Sequence, residues 1–191
     1  MAVATGNVFA GVPDRTVGAI MVAPKGTALP VDAAAVPNVA FKDLGYISED
    51  GVTLTQDLSW EKIRDWGGDQ VRAILKEFTG GLKFTFLETN ATAAAAIWGA
   101  SNVTTTAATI STGTKNAVKL TSQESPRNAF LINIKDGVRR VRLVIADGQF
   151  TDRGDLSYTQ SSAVTYDVTM SIIPDSSGVS VYVYTDDGVT L

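Results

Sequence analysis

The chain has 191 residues, 45% of them apolar, a net charge of −4, and neither cysteine nor histidine. That length and composition fit one ordinary domain with a real core and rule out wholesale disorder. The missing residues exclude a disulfide frame, a thiolate nucleophile, zinc–thiolate and histidine–metal sites, and Ser-His-Asp or Cys-His catalysis. Acidity is spread over both halves, with 8 Lys/Arg against 11 Asp/Glu in residues 1–100 and 8 against 9 in residues 101–191. Such a balance argues against tight nucleic-acid binding. No cofactor is expected.

Taken in chain order, residues 1–15 read as an N-terminal arm, small, polar and glycine-containing. They lack the basic and long apolar regions of a signal peptide, and no uncharged apolar stretch in the chain approaches a membrane span. RTVGAIMV (15–22) predicts a short strand. Pro24, Pro30 and Pro37 punctuate a loop over residues 24–37. A strand over 41–47 and a turn at Ser48–Gly51 lead into VTLTQDLSW (52–60), whose strict alternation is that of a half-buried strand. VRAILKEF (71–78) fits helix or strand equally. Thr79-Gly80-Gly81 predicts a turn, and LKFTFLET (82–89) a strand.

One helix is well marked in TNATAAAAIWGA. Thr89 or Asn90 can cap its start, the alanine run favours it, and Gly99 suits its end. It is too short to stand alone, so Ile97 and Trp98 must pin it to a sheet. Beyond it, strands are predicted at 107–112, 117–122, 128–135, 138–146, 150–157, 164–173 and 179–184, with Asp136-Gly137 as a hairpin signal. Residues 185–191 read as a polar tail. The fold class is mainly β, a sandwich or barrel with one short flanking helix at about residues 90–98 and extended loops and termini, in a single domain over 1–191.

Candidate sites are few. Asp147, Asp152 and Asp155 lack the ligand pattern of a calcium loop and read as a solvated hairpin end. Arg139, Arg140 and Arg142 form a basic strip suited to phosphate or, more simply, to structural pairing. Asp57, Glu61 and Asp65 lie four apart, which clusters carboxylates only on a helix. No glycine-rich phosphate loop occurs.

WEKIRDWGGDQVR (60–72) fits no clean strand or helix. Gly67-Gly68 looks like the tip of a long connection over residues 60–70. Tryptophans among charges near such a tip have the composition of a protein–protein hot spot, with a plain core role as the alternative.

The segment LGYISEDGVTLTQDLSWEKIRDWGGDQVR, the strand LKFTFLET and the alanine-rich helix together resemble the major tail (tail tube) proteins of long-tailed phages, most closely those of actinobacterial hosts. The resemblance is strongest from Phe41 to Trp98, where LGYISEDG carries the recurrent LGY-(I/V)-(S/T)-x-(D/E)-G pattern. It implies a structural virion protein, not an enzyme. Its copies form hexameric rings that stack into a hollow tube around a tape-measure protein and later pass genome DNA. It implies contacts with tail-terminator and tail-tip proteins, no membrane binding, and residence in the virion after assembly in the host cytoplasm.

Carried onto this chain, the resemblance puts Trp60, Ile63, Arg64, Trp66, Gly67, Gly68 and Asp69 at the inter-ring or subunit interface. It makes residues 52–60 and 69–89 lumen-lining hairpins, with Asp57, Glu61, Glu77 and Glu88 as lumen-facing acids. A second reading is a carbohydrate- or protein-binding β-sandwich, an adhesin or virion decoration module with Trp60 and Trp66 as its platform. A third, a carboxylate-only enzyme, would rest on Asp57 or Glu61.

Overall fold

The structure, a computed structural model, describes residues 8–161 and 163–189. It is mainly β with one short helix, as expected. The strands are β1 (Val12–Pro13), β2 (Ile20–Pro24), β3 (Lys42–Asp43), β4 (Ile47–Arg64), β5 (Gln70–Phe86), β6 (Val103–Thr106), β7 (Lys115–Val118), β8 (Asn128–Asp136), β9 (Arg139–Arg153), β10 (Tyr166–Ile172) and β11 (Tyr182–Asp186). The helix α1 spans Ala91–Trp98, and a 3₁₀ turn at Ala100–Asn102 follows it. Nine strands form one antiparallel sheet in the order β3-β2-β8-β9-β10-β5-β4, with β1 on β8 and β11 on β9; β6 and β7 pair separately. The two ends of this order, β3 and β4, are joined only by Leu44–Tyr46, so the sheet curls back on itself.

The concave side holds the main core: Ile20, Leu82, Phe84, Phe86, Phe130, Ile132, Ile145, Phe150, Met170 and α1. Its aromatics meet edge to face, Phe84 on Phe86 at 4.9 Å and Phe130 on Phe150 at 5.4 Å. The convex side of β2, β8 and β9 carries a smaller cluster of Met21, Ala23, Phe41, Ala129, Leu131 and Val144. Strand β8 is therefore covered on both faces, which is why NAFLINIK is apolar almost without alternation.

Arg142 ties the convex side together. Its Nε donates to Asn133 Oδ1 at 2.7 Å, and Nη1 donates to the carbonyls of Asp32 and Ala35. Asn133 Nδ2 in turn donates to Gly18 O. Burial pushes the guanidinium pKa down against the raising effect of Asp32 and Asp14. Of the three arginines, Arg142 is thus a structural bolt for the 18–35 segment. Arg139 donates to Val8 O.

The capped helix is as expected. Asn90 Oδ1 accepts from Ala93 N at 2.8 Å, Gly99 takes φ +91°, and Ile97 and Trp98 are buried, with Trp98 edge-on to Tyr166.

Several boundaries differ from expectation, each for a local reason. Residues 1–7 of the expected arm lie outside the described residues, as do 190–191 of the tail. The rest of the arm is tied down: Val12 and Pro13 pair with β8, and Asp14 N donates to Asn133 O. Thr185 and Asp186 belong to β11 rather than to a tail. Ser48–Gly51 bulges out within β4 rather than turning the chain, with Gly51 at φ +69°. Gly80 and Gly81 lie inside β5, paired with Gln56 and Thr55 on one side and Ile172 and Ser171 on the other. A Cβ on Gly81 would come 2.6 Å from Thr55 Oγ1, so close approach and not turn geometry calls for glycine.

The threonine-rich strands also sit elsewhere than expected. Residues 107–114 form the loop between β6 and β7, closed by Thr109 N to Thr112 O, and the pairing falls on residues 103–106 and 115–118. In the β8–β9 hairpin Asp136 pairs with Arg139, so Gly137 and Val138 make the turn. The only positive φ there is at Gly137, the first central position, where a type II′ turn needs glycine.

Asp147 is not at a solvated hairpin end. Strand β9 runs unbroken through it, and its buried carboxylate takes Lys25 Nζ at 2.6 Å and a two-pronged hydrogen bond from Arg127. Burial by itself would raise this carboxyl, but the hydrogen bonds from Arg127 and Lys25 outweigh it and hold its pKa below the ordinary aspartate range. A carboxyl depressed in the folded state stabilises fully above its unfolded pKa and loses that contribution as pH falls through the folded value. Asp147→Ala is therefore expected to lower the urea midpoint at pH 7 and to flatten its decline between pH 5 and pH 2. Parallel denaturation curves of the two proteins across that range check this.

Candidate functional site

The most distinctive feature is the hairpin of β4 and β5. Strand β10 pairs with β5 from Phe86 back to Gly80 and then ends. From Gln56 and Gly80 outward the two strands continue alone as a ribbon to Arg64 and Gln70. Eight residue steps at about 3.3 Å each put its tip roughly 25 Å beyond the last rung with β10. On this ribbon every residue from Gln56 to Thr79 is exposed.

The expected long connection over 60–70 is shorter than that. Trp60 to Arg64 lie in β4, and only residues 65–69 turn the chain. That turn is closed by its own polar groups. Asp65 N donates to Asp69 O at 2.9 Å, Asp69 N to Asp65 Oδ1 at 2.7 Å, and Arg64 Nη1 to Gly68 O at 2.8 Å. Gly68 has φ +94°, a conformation that other residues resist. Trp66 is presented here with its side chain fully exposed, 105% of its reference area.

Register explains the two faces. One carries Val52, Leu54, Leu58 and Trp60 opposite Phe84, Leu82, Phe78 and Leu75, the direct continuation of the core side of the sheet. The other carries Asp57, Ser59, Glu61 and Ile63 opposite Thr79, Glu77, Ile74 and Arg72. Two bulges in β5 make this possible. Ser59 pairs with Glu77 and Trp60 with Leu75, so Lys76 is the extra residue; Val71 is the second. Without the bulge at Lys76, strict alternation would throw Leu75 and Ala73 onto the polar face. Freed from the ladder, Lys76 reaches Glu61 at 2.9 Å.

Leu58, Trp60, Leu75 and Phe78 thus form an apolar stripe in open solvent, each 42–53% exposed. Side chains of this size gain roughly 1.5–3 kcal/mol each on full burial. The exposed Glu61–Lys76 pair is worth about 1 kcal/mol at most. The stripe therefore has more to gain from being covered than the charges do. The backbone edges are open too: among the described residues β4 has no partner on its outer edge, and beyond Gly80 β5 has none on its side away from β4. Long unpaired edges beside apolar surface are what a sheet completed by another chain presents.

Among the expected site residues, Trp60, Ile63, Arg64, Trp66, Gly67, Gly68 and Asp69 all fall on the distal ribbon or its tip. They are split, however: Trp60 belongs to the stripe and Ile63 to the opposite face. Asp57, Glu61 and Glu77 share the polar face. Glu88 does not. It lies past the end of β5, where Oε1 accepts from Tyr46 N and Oε2 from Asn90 Nδ2. Asp57 and Glu61 sit four strand residues apart, about 13 Å, beyond the separations at which two carboxylates share glycosidic chemistry. The alternation of residues 52–60 already puts Leu58 on the face of Trp60; Leu75 and Phe78 are hidden by the bulge at Lys76, which breaks their alternation.

The profile of the family described as "Phage tail tube protein" matches residues 10–189. The chain belongs to that family. It is accordingly a structural protein of the phage tail, part of the virion. No curated protein matches it. Among solved structures it is similar to the "Cryo-EM structure of the anti-feeding prophage cap (AFP tube terminating cap)", at 12% identity and a TM-score of 0.46, over 97% of this chain and 100% of that one. Among the described residues no helix is long and apolar enough to cross a membrane.

An exposed turn and a core make opposite demands on tryptophan. Trp66→Ala is expected to leave unfolding free energy within about 0.5 kcal/mol of the parent. Trp98→Ala, which removes a side chain only 7% exposed, should cost roughly 3–5 kcal/mol. Urea unfolding of dilute protein separates the two.

Proposed function

We propose that this tail tube protein builds the tube by lending its ribbon to its neighbours. Copies associate side by side through the free edges of β4 and β5, so that their ribbons join into one closed barrel around a lumen. The apolar stripe faces outward from that barrel and packs against adjoining subunits. The polar face looks inward. Six copies per ring, stacked through the turn at 65–69, is the arrangement that the resemblance implies. Its partners would be its own copies, a tape-measure protein within the lumen, and tail-terminator and tail-tip proteins at the ends. Assembly would take place in the host cytoplasm, and the role is a non-enzymatic one.

The single observation that carries this reading is the combination on one ribbon of two unpaired edges with an unburied apolar stripe. A closed ring leaves no edge unpaired and covers the stripe. Passage of DNA is supported by the polar face, where Asp57, Glu61 and Glu77 outnumber Arg72 and Lys76 along the ribbon. With no cationic excess the ribbon offers duplex DNA no net grip, and counterion release gives no drive to bind.

Negative-stain microscopy of the concentrated protein should show rings or tubes with a central hole. A monomer at every concentration, even with a tail-tip nucleator, counts against the proposal. Leu58→Lys combined with Phe78→Lys should abolish rings while leaving the circular dichroism spectrum unchanged. Deleting residues 65–69 and bridging with a two-residue Asn-Gly turn should leave rings that do not stack. Long tubes from that variant would sink the assignment of the turn.

A further inference from the structure

A cavity of about 230 Å³ opens where the curled sheet fails to close, between β3 and the start of β4. Its walls include Arg15, Ala19, Asp43, Tyr46, Ile47 and Glu88. The guanidinium of Arg15 stands 5.9 Å from the centre of the Tyr46 ring, which is itself 59% exposed. Asp43 and Glu88 hold the backbone N–H groups of Gly45 and Tyr46, so the carboxylates are fixed in place. A cation beside an aromatic ring, flanked by two oriented acceptors, is a chemical match for an indole. The cation meets its face, and a carboxylate takes its Nε1–H.

We propose that this cavity receives Trp66 of a second copy of this chain, from the next ring. The inference rests on the tube reading above and adds to it the surface on which the ribbon tip lands. Three observations select that occupant. Trp66 is the largest side chain that the turn leaves wholly uncovered. The turn flanks it with Arg64, Asp65 and Asp69, charges of both signs, as the cavity carries Arg15 against Asp43 and Glu88. Finally, tip and cavity lie at opposite ends of one ribbon: the cavity touches Ile47, the first residue of β4, and Glu88, just past the end of β5. From Val52 to Arg64 alone the paired strand spans roughly 40 Å, so no copy can fill its own cavity. A knob and a socket on separate surfaces make a heterologous contact, and along the tube axis, where no rotation closes it, such a contact polymerises.

The absence of cysteine from the chain makes a clean test possible. Gly67→Cys places a thiol beside the knob, and Pro13→Cys places one at the cavity rim. Under conditions where microscopy shows stacked rings, mixing the two proteins with a short bis-maleimide should give cross-linked dimers containing one of each. The cross-link should vanish when the first protein also carries Trp66→Ala, or the second Arg15→Glu with Tyr46→Ala. Both sets of residues are exposed, so folding is expected to survive and is checked by circular dichroism.

Trp66→Ala alone should give rings without stacks. Stacks that persist undiminished in Trp66→Ala, or cross-links insensitive to it, would overturn the proposal while leaving the tube reading intact. Absence of any assembly by the unmodified protein would overturn both.

Discussion

The ribbon is tied to the body of the sheet by one ladder, the antiparallel pairing of β5 with β10 from Phe86 to Gly80. Along it Leu82, Phe84 and Phe86 enter the core, and Phe84 and Phe86 pack against Phe150. The rest of β5 and its partner β4 is a cantilever from that root. A two-stranded ribbon on its own is marginal in water. This one is paid for by the buried aromatics at its base, and its distal half is left with open edges and exposed apolar surface. Buried and exposed surface are thus divided along a single strand at Gly80.

The division depends on strand parity. The stripe of Leu58, Trp60, Phe78 and Leu75 continues the core face of the sheet into solvent, and one inserted residue, Lys76, keeps β5 in phase with β4 while it does so. The same insertion lets Lys76 reach Glu61 and offsets one of the acids on the ribbon's polar face. A bulge is thus the device that sorts the ribbon into an apolar and a polar face.

The bulge also accounts for the least readable part of the sequence. Phe78 and Leu75 share a face although they lie three apart, and three is a helical spacing, so VRAILKEF reads equally as helix and strand. Gly80-Gly81 reads as a turn because glycine usually marks one; here it is required by the close approach of Thr55 within the sheet. Asp147 reads as solvated because two aspartates follow it nearby, whereas its partners Lys25 and Arg127 come from distant segments of the chain. By contrast, the helix with its Asn90 cap, the buried Ile97 and Trp98, and the alternation of residues 52–60 were legible, because each is set by neighbours within a few residues. The exposed turn around Gly67-Gly68 was legible too, though not the division of its flanking residues between two faces.

By itself, then, the sequence determined the β-rich class, the capped helix, and the absence of thiol and imidazole chemistry. Those follow from composition and from local periodicity, which no partner strand can alter. The tertiary structure decided which face of each strand is covered, where the ribbon leaves the body, and which cavity lies at its root. Those depend on register between segments far apart in the chain, and register is fixed only when the strands meet.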